Sequence, residues 1–438
     1  MLNCKRLFSS LCLLAIGTFF VCAQNNSNSP YTRFGYGKIA DRSCDQSLSM
    51  GGVGYGLRTY GQINPLNPAS YSEVDSLTFL FNFGLTAGMF WMSDDSQTWK
   101  DYSGNISYLT MQFRLMKNLG MSLGVRPFSY VGYNYGNSCT IGDTYYVLNY
   151  QGTGSLMQVY GGLGYEIIKD RLSVGANFGY TFGSINRDKY LTFPESAATS
   201  VGSQSKAYSV TESAKISAHD VFWETGIQYT QPVGKKNQLT LGVVFSPKQL
   251  FESNNSVVKT TYDTKTSSSG SSSGVVISDK DSIFGKKLYM PMNIGAGVGF
   301  VKNNRLTLGA DVLYQAWADV PFPEDNYEFK DKMRYAVGAE FVPNPFIQRG
   351  FLKRMRYRAG LYYTDSYVKT ENAGINEFGA TVGVGMPFRV RGRESMLNIG
   401  AEYSKVVPEK SNLINEQYFK LTFGITFCET WFHKRKFE

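Results

Sequence analysis

The sequence, 438 residues long, predicts an all-β chain, a transmembrane antiparallel β-barrel of about 14 strands with an N-terminal hatch in the lumen. Three observations predict it. Apolar residues recur with a period of two, as in "RLSVGANFGYTFG" at 171–183, where Leu172, Val174, Ala176, Phe178, Tyr180 and Phe182 alternate with serine, glycine, asparagine and threonine. Charged residues make up 18% of the chain, against about 25% in an average soluble protein, and it carries 45 glycines, 30 tyrosines and 30 phenylalanines. Connections between the patterned runs alternate between tight turns and long loops, the habit of outer-membrane barrels.

Taken from the start, Lys5 and Arg6 precede the apolar run "LFSSLCLLAIGTFFV", and Val21-Cys22-Ala23 closes it. That order predicts a secretory signal peptide over 1–23, cleaved near Ala23, and with the barrel pattern places the mature chain in the outer membrane of a Gram-negative cell. Cys22 follows Val21, where lipid attachment would want a smaller residue. The segment 24–76 precedes the first patterned run and is the candidate hatch. The barrel, 77–438, is expected to use strands near 77–90, 103–116, 119–133, 155–168, 171–184, 218–232, 237–247, 288–301, 305–317, 331–343, 354–364, 376–390, 395–405 and 417–428. Short turns are expected at "KN" 117–118, "KD" 169–170, "GKKN" 234–237 and "KNN" 302–304, and long loops at 91–102, 134–154, 185–217, 248–287, 318–330, 365–375 and 406–416. Trp91, Trp223 and Trp317 fall at the long-loop ends of their strands, where an aromatic belt would sit.

Closure follows from backbone chemistry, because an open sheet edge in hydrocarbon leaves amide groups without partners. The apolar parity then faces lipid and the small parity faces the lumen. A secreted sandwich or propeller is the alternative, opposed by the missing charged outer face. A barrel of this width cannot be filled by its own side chains, so water, a plug or a ligand occupies it. On the inward parity fall the charged residues Arg126, Glu224, Asp311, Arg334, Glu340, Arg356, Arg358 and Glu402. Two readings are open for them: pairing within the lumen to pin the plug, or meeting an acidic ligand head group.

Other chemistries find little support. Without the leader, Cys44, Cys139 and Cys428 remain, an odd and scattered set that makes no disulfide framework. Basic residues then exceed acidic ones by seven and are spread over turns and loops, so no nucleic-acid partner is expected; the terminal "HKRKFE" reads as a solvated tail. His219 and His433 are the two histidines, far apart, with no nucleophile motif beside His219, so neither an enzyme, a metal site nor a cofactor is expected. "GAGVG" at 295–299 lies in strand alternation, without the helix or Lys-Ser/Thr of a phosphate loop. "TKTSSSGSSSG" at 264–274 has the composition of a flexible external loop.

A resemblance sharpens the reading. "SMGGVGYGL" at 49–57, followed by "NPAS" at 67–70, is similar to the N-terminal signature of FadL-like outer-membrane transporters and of their PorV-like relatives. "LTLGADVLYQAW", "MRYRAGLYY" and the terminal "NEQYFKLTFGITF" resemble strands of the same family, so the likeness covers nearly the whole mature chain. The resemblance implies a 14-strand barrel with an N-terminal hatch, and marks Gly51, Gly52, Asn67, Pro68 and Ala69 as hatch-motif residues. It also implies a function, a passive channel for hydrophobic small molecules, with a non-transporting subunit or scaffold of an outer-membrane secretion or assembly complex as the alternative. FadL-like members pass hydrophobic small molecules from an outer site into the barrel and sideways through a break in the wall once the hatch shifts. PorV-like members serve as subunits of outer-membrane complexes. The expected partners are accordingly outer-membrane lipids and either a hydrophobic ligand or other subunits. The loops of this chain, "SYSVTESAKIS" and "KTSSSGSSSG" among them, are polar.

Overall fold

A computed structural model describes residues 29–430, apart from 95–96, 142–143, 194–207, 264–274, 285–287, 323–327, 347–349, 371–372, 391–392 and 411–412. The leader, the Ser-rich stretch 264–274, His433 and the basic tail lie outside the described residues.

Period-two alternation becomes a wall of antiparallel strands. After a short hatch strand, β1 (Lys38–Ile39), the wall runs through β2 (Thr78–Ser93), β3 (Thr98–Met116), β4 (Leu119–Ile141), β5 (Thr144–Ile168), β6 (Leu172–Thr192), β7 (Ser209–Val233) and β8 (Asn237–Ser246). An external excursion follows, made of β9 (Gln249–Phe251), β10 (Ser253–Asp263), β11 (Val275–Phe284) and β12 (Leu288–Met290). The wall resumes with β13 (Asn293–Lys302), β14 (Leu306–Gln315), β15 (Lys332–Phe341), β16 (Arg356–Thr370), β17 (Ala373–Val390), β18 (Arg393–Pro408) and β19 (Asn415–Thr430). Each wall strand pairs with the next, β8 pairs with β13, and β19 pairs with β2, which closes a barrel of 14 strands.

The turns explain the register at one end of the barrel. Asn118, Asp170, Asn303 and Asn304 have φ values of 66°, 58°, 55° and 55°, and Gly234 has 71°. Left-handed backbone at Asn, Asp and Gly makes the tight hairpin turns whose twist matches the strands they join. Four of the six connections at this end are such turns, and in a fifth Val390 pairs with Arg393 across two residues. The sixth, between Phe341 and Arg356, is longer and carries a one-turn helix, Phe351–Arg354.

Parity holds along the wall. Phe178, Leu241, Val243, Leu308, Val337, Leu361, Phe378, Val382 and Phe423 are all exposed on the outside, while Asn177, Ser173, Thr240, Thr381 and Asn398 are buried inside. An exposed apolar belt over a polar interior is stable only in lipid, so the fold is that of an outer-membrane barrel.

The expected loops 134–154 and 185–217 are corrected. The ladder β4–β5 continues to Ile141↔Thr144, and β6–β7 pairs up to Leu191↔Val210, so 134–141, 144–154, 185–192 and 209–217 are strand rather than loop. β10 adds to the raised part of β7 and β11 to β10, giving an external sheet β4–β5–β6–β7–β10–β11 above the wall. Tyr, Thr and Val along these stretches suit a pleated surface, and cross-strand pairing outweighs the Asn and Gly that mark turns elsewhere. The position of Trp317 is corrected as well. It is wholly buried among the residues that cap the lumen instead of standing in a belt, whereas Trp223 is 40% exposed on the outer face.

Candidate functional site: the hatch and the lumenal cavity

The described part of the segment before β2 runs inside the barrel, and the wall is shaped to receive it. A Cβ at Gly242 would overlap the Tyr55 carbonyl, one at Gly175 would overlap Pro68, one at Gly299 would overlap the Gly56 carbonyl, and those at Gly338 and Gly360 would run into Met50 and Gly51. The small inward parity is therefore the imprint of the hatch backbone at contact distance. Met50 and Val53 are fully buried between hatch and wall.

The hatch motif works through backbone geometry. Gly51 and Gly52 have φ of 72° and 87°, a conformation that a side chain would strain. The turn they form lets the Gly51 N–H donate to Thr381 Oγ1 on β17 at 2.8 Å. Asn67 caps the 3-10 turn Pro68–Ser72 by accepting from the Ala69 N–H at 3.1 Å. Its Nδ2 donates to the carbonyls of Tyr55, in the hatch, and Ile227, on β7. Pro68 supplies the fixed φ of a first helical position, and Ala69 is fully buried.

All eight sequence-predicted charges face inward, and each has a partner. Arg126 meets Glu224 at 2.8 Å, and Glu224 also receives Arg42 of the hatch at 2.8 Å and Asn177 Nδ2 at 2.7 Å. Asp311 accepts the N–H groups of Gly54 and Tyr55 at 2.6 and 2.8 Å. Arg334 holds Asp41 of the hatch at 2.8 Å. Arg356 and Arg358 converge on Glu340 at 3.0 and 2.7 Å. Glu402 takes Lys420 at 2.8 Å and the Tyr362 hydroxyl at 2.8 Å. Glu224, Asp311 and Arg334 bind the hatch directly, whereas the Glu340 and Glu402 groups bridge wall strands.

Sequence reasoning missed the hatch half of this network, Lys38, Asp41, Arg42 and Arg58. It also missed Lys332, Glu377 and Lys420 on the wall. The wall residues were available, since Glu377 and Lys420 stand on the small parity beside Phe378 and Phe419. The hatch residues carry no periodic signal.

Space remains where these groups meet. A cavity of about 160 Å³ lies between Lys38 and Asp41 of the hatch, Lys332 and Arg334 of β15, Glu377 of β17 and Lys420 of β19. Its far side reaches Ser103, Asn105 and Ser107 of β3 and Pro127 of β4. There the wall departs from a regular ladder. β3 and β4 pair only from Leu109↔Val125 down to the turn, and Pro127 sits at a bulge against β5. β1 of the hatch occupies the vacated edge, with Lys38 opposite Tyr130 and Ile39 opposite Ser129.

Above the cavity an aromatic cap closes the outer side. The Tyr36 hydroxyl donates to the Tyr289 carbonyl at 2.9 Å, and the Tyr36 N–H donates to the Tyr367 hydroxyl at 3.0 Å. Its ring meets Trp317 and Phe322, each at 5.3 Å, and Trp317 stacks on Tyr367 at 4.5 Å. His219 lies in β7, its N–H donating to the Glu252 carbonyl at 3.2 Å.

Known proteins give this architecture a lineage. The monoaromatic hydrocarbon channel CymD is 15% identical, with 90% of this chain and 100% of that one covered at a TM-score of 0.58. A FadL homologue of Pseudomonas aeruginosa is 13% identical, with 90% and 99% covered at 0.61. The toluene transporter TodX of P. putida is 14% identical, with 91% and 100% covered at 0.60. Identities this low establish a shared fold. No curated protein matches the chain. The family model described as BamG matches residues 4–438, nearly end to end. On that match the chain belongs to the BamG family, built on the FadL-like outer-membrane barrel.

Proposed function

We propose that this barrel serves as a non-conducting subunit of an outer-membrane complex, a transporter-like fold used to hold a partner. The observation that carries the reading is the content of the lumen. The hatch is bound to the wall at contact distance, the aromatic cap lies on the outer side, and the cavity between them is only about 160 Å³, with seven charged side chains, Lys38, Asp41, Lys332, Arg334, Glu377, Glu402 and Lys420, in its lining. A path for hydrophobic molecules is wider and carries few polar groups, so a small space crossed by seven charges serves it poorly. The long connection after β15 adds support. Phe346, Leu352 and Phe351 are 75%, 67% and 51% exposed there, at the end of the barrel where the other connections are tight turns.

The second reading is a passive channel for hydrophobic small molecules; CymD is a monoaromatic hydrocarbon channel and TodX a toluene transporter. The parting of β3 from β4 beside the cavity favours it, since a displaced β1 would open a side exit toward lipid.

Purification of the native assembly in mild detergent, with mass spectrometry of proteins and bound lipids, separates the two. A stoichiometric protein partner without a lumenal ligand is the expected outcome. A lone barrel carrying a hydrophobic ligand would support the channel instead.

A further inference from the structure

We propose that the upper edge of β4, residues 133–141, is a strand-addition site that pairs with an extended segment of a partner polypeptide at the outer surface of the membrane. The proposal rests on the subunit reading above and names where and how the partner binds.

A membrane-spanning strand needs only about 9–11 residues, and β4 has 23. The excess rises above the bilayer. Along it β4 keeps β5 on one side through Ile141↔Thr144, while β3, its neighbour on the other side, leaves the ladder above Leu109↔Val125. β3 itself pairs only with β2 from Thr98 to Tyr108. Two strand edges thus face each other across a slot above the gap.

The lower part of this edge already accepts an added strand. β1 lies antiparallel on it, with Lys38 opposite Tyr130 and Ile39 opposite Ser129, and the Ala40 N–H donates to the Phe128 carbonyl at 2.9 Å. Thr32 Oγ1 then takes the place of a strand, donating to the Gly132 carbonyl at 2.9 Å and accepting the Gly132 N–H at 3.1 Å. Backbone groups of Phe128 and Gly132 therefore point away from β5. In an antiparallel ladder that direction alternates, so those of Asn134, Gly136, Ser138 and Thr140 continue the same row. Among the described residues, no backbone partner meets them.

The edge itself also carries no charge or proline. Exposed edges are blunted by charge, proline or a covering loop. "VGYNYGNSCTI" at 131–141 contains no Lys, Arg, Asp, Glu or Pro, and Asn134, Gly136, Asn137, Ser138 and Thr140 are exposed. Small, uncharged side chains beside a row of backbone groups suit main-chain recognition, in which hydrogen bonds give affinity and the partner's sequence is loosely constrained. Continuing the ladder that β1 begins, the incoming segment would run antiparallel to β4.

Proline tests the row directly, since Asn134→Pro removes an N–H facing the slot and leaves the β5 ladder in place. In the full-length protein purified in mild detergent from cells, Asn134→Pro is expected to recover at least tenfold less partner than wild type, and Asn134→Ala to recover it normally. Hydrogen exchange on the wild-type assembly supplies a second readout. Amides 134, 136, 138 and 140 should exchange slowly in the complex and fast in the barrel stripped of its partner. Undiminished partner with Asn134→Pro, or fast exchange at these amides in the intact complex, overturns the edge while leaving the subunit reading standing. Slow exchange in the stripped barrel would mean that the chain covers its own edge, and a doubled mass with no other protein would mean that a second copy does; either overturns the proposal. Absence of any protein partner defeats both readings together.

Discussion

Glu224 is the residue on which hatch and wall agree. It stands between Arg126, 2% exposed, and Arg42 of the hatch, and accepts from Asn177 as well. Removing one member of a buried charge group leaves the others uncompensated, a loss of about 3–5 kcal/mol. Glu224→Ala is therefore expected to loosen the hatch and lower the unfolding temperature of the barrel, read by the heat-dependent shift in gel mobility. Asp45 makes a contrasting case. Burial raises its carboxyl above the ordinary 3.8, against the hydroxyls of Tyr108 and Thr426 that donate to it. A raised carboxyl favours the docked state most below the ordinary value, and that contribution fades as the pH climbs through the shifted one. The Asp45 contribution to protease protection of the hatch should accordingly be greater near pH 4 than at pH 8, read as the pH dependence of the difference between the wild type and Asp45→Asn. Asn also tolerates the left-handed backbone, φ 32°, found at this position.

At the scale of elements, the hatch is held by shape at one level and by a hydroxyl latch at another. Gly242 lies against the Tyr55 carbonyl, while Asp311 takes the N–H groups of Gly54 and Tyr55. Gly242→Val would drive a branched side chain into backbone, and overpacking of this kind costs about 1–3 kcal/mol. Displacement of the hatch, seen as faster proteolysis at residues 50–58 with the barrel intact, is the expected result. Tyr36 is the latch of the cap. Tyr36→Ala should raise permeability of the outer membrane to small antibiotics, and Tyr36→Phe, which keeps the ring and loses the bond to Tyr289, should do so less. The strands and tight turns were legible because the period of two and the Asn, Asp and Gly turn residues are local signals. Loops that turned out to be raised strands were not, since pairing of 134–141 with 144–151 depends on a neighbour and not on composition. The same holds for Trp317, whose place at a strand end suggests a belt while the packing of Tyr36, Phe322 and Tyr367 draws it inward. In the site, wall charges could be read from parity, yet their hatch partners Asp41 and Arg42 sit in irregular backbone that has no period to read.

Across the whole molecule, the two ends of the barrel are built differently, and the difference bears on what the protein holds. The outer end is sealed by the cap and extended by the raised sheet. The opposite end consists of tight turns except after β15, where Phe346, Phe351 and Leu352 are exposed beside Lys353 and Arg354. Apolar side chains grouped outside the lipid belt mark a contact surface, and their helix is too short to be stable by itself. Replacing all three with serine removes apolar area without touching the wall or the hatch network. The variant is expected to reach the outer membrane folded, with the mobility shift of the wild type, and to lose protein that co-purifies with the wild type from the periplasmic side. If these residues only rest on the inner leaflet, recovery of every protein partner will equal that of the wild type, and the docking surface is then confined to the outer sheet.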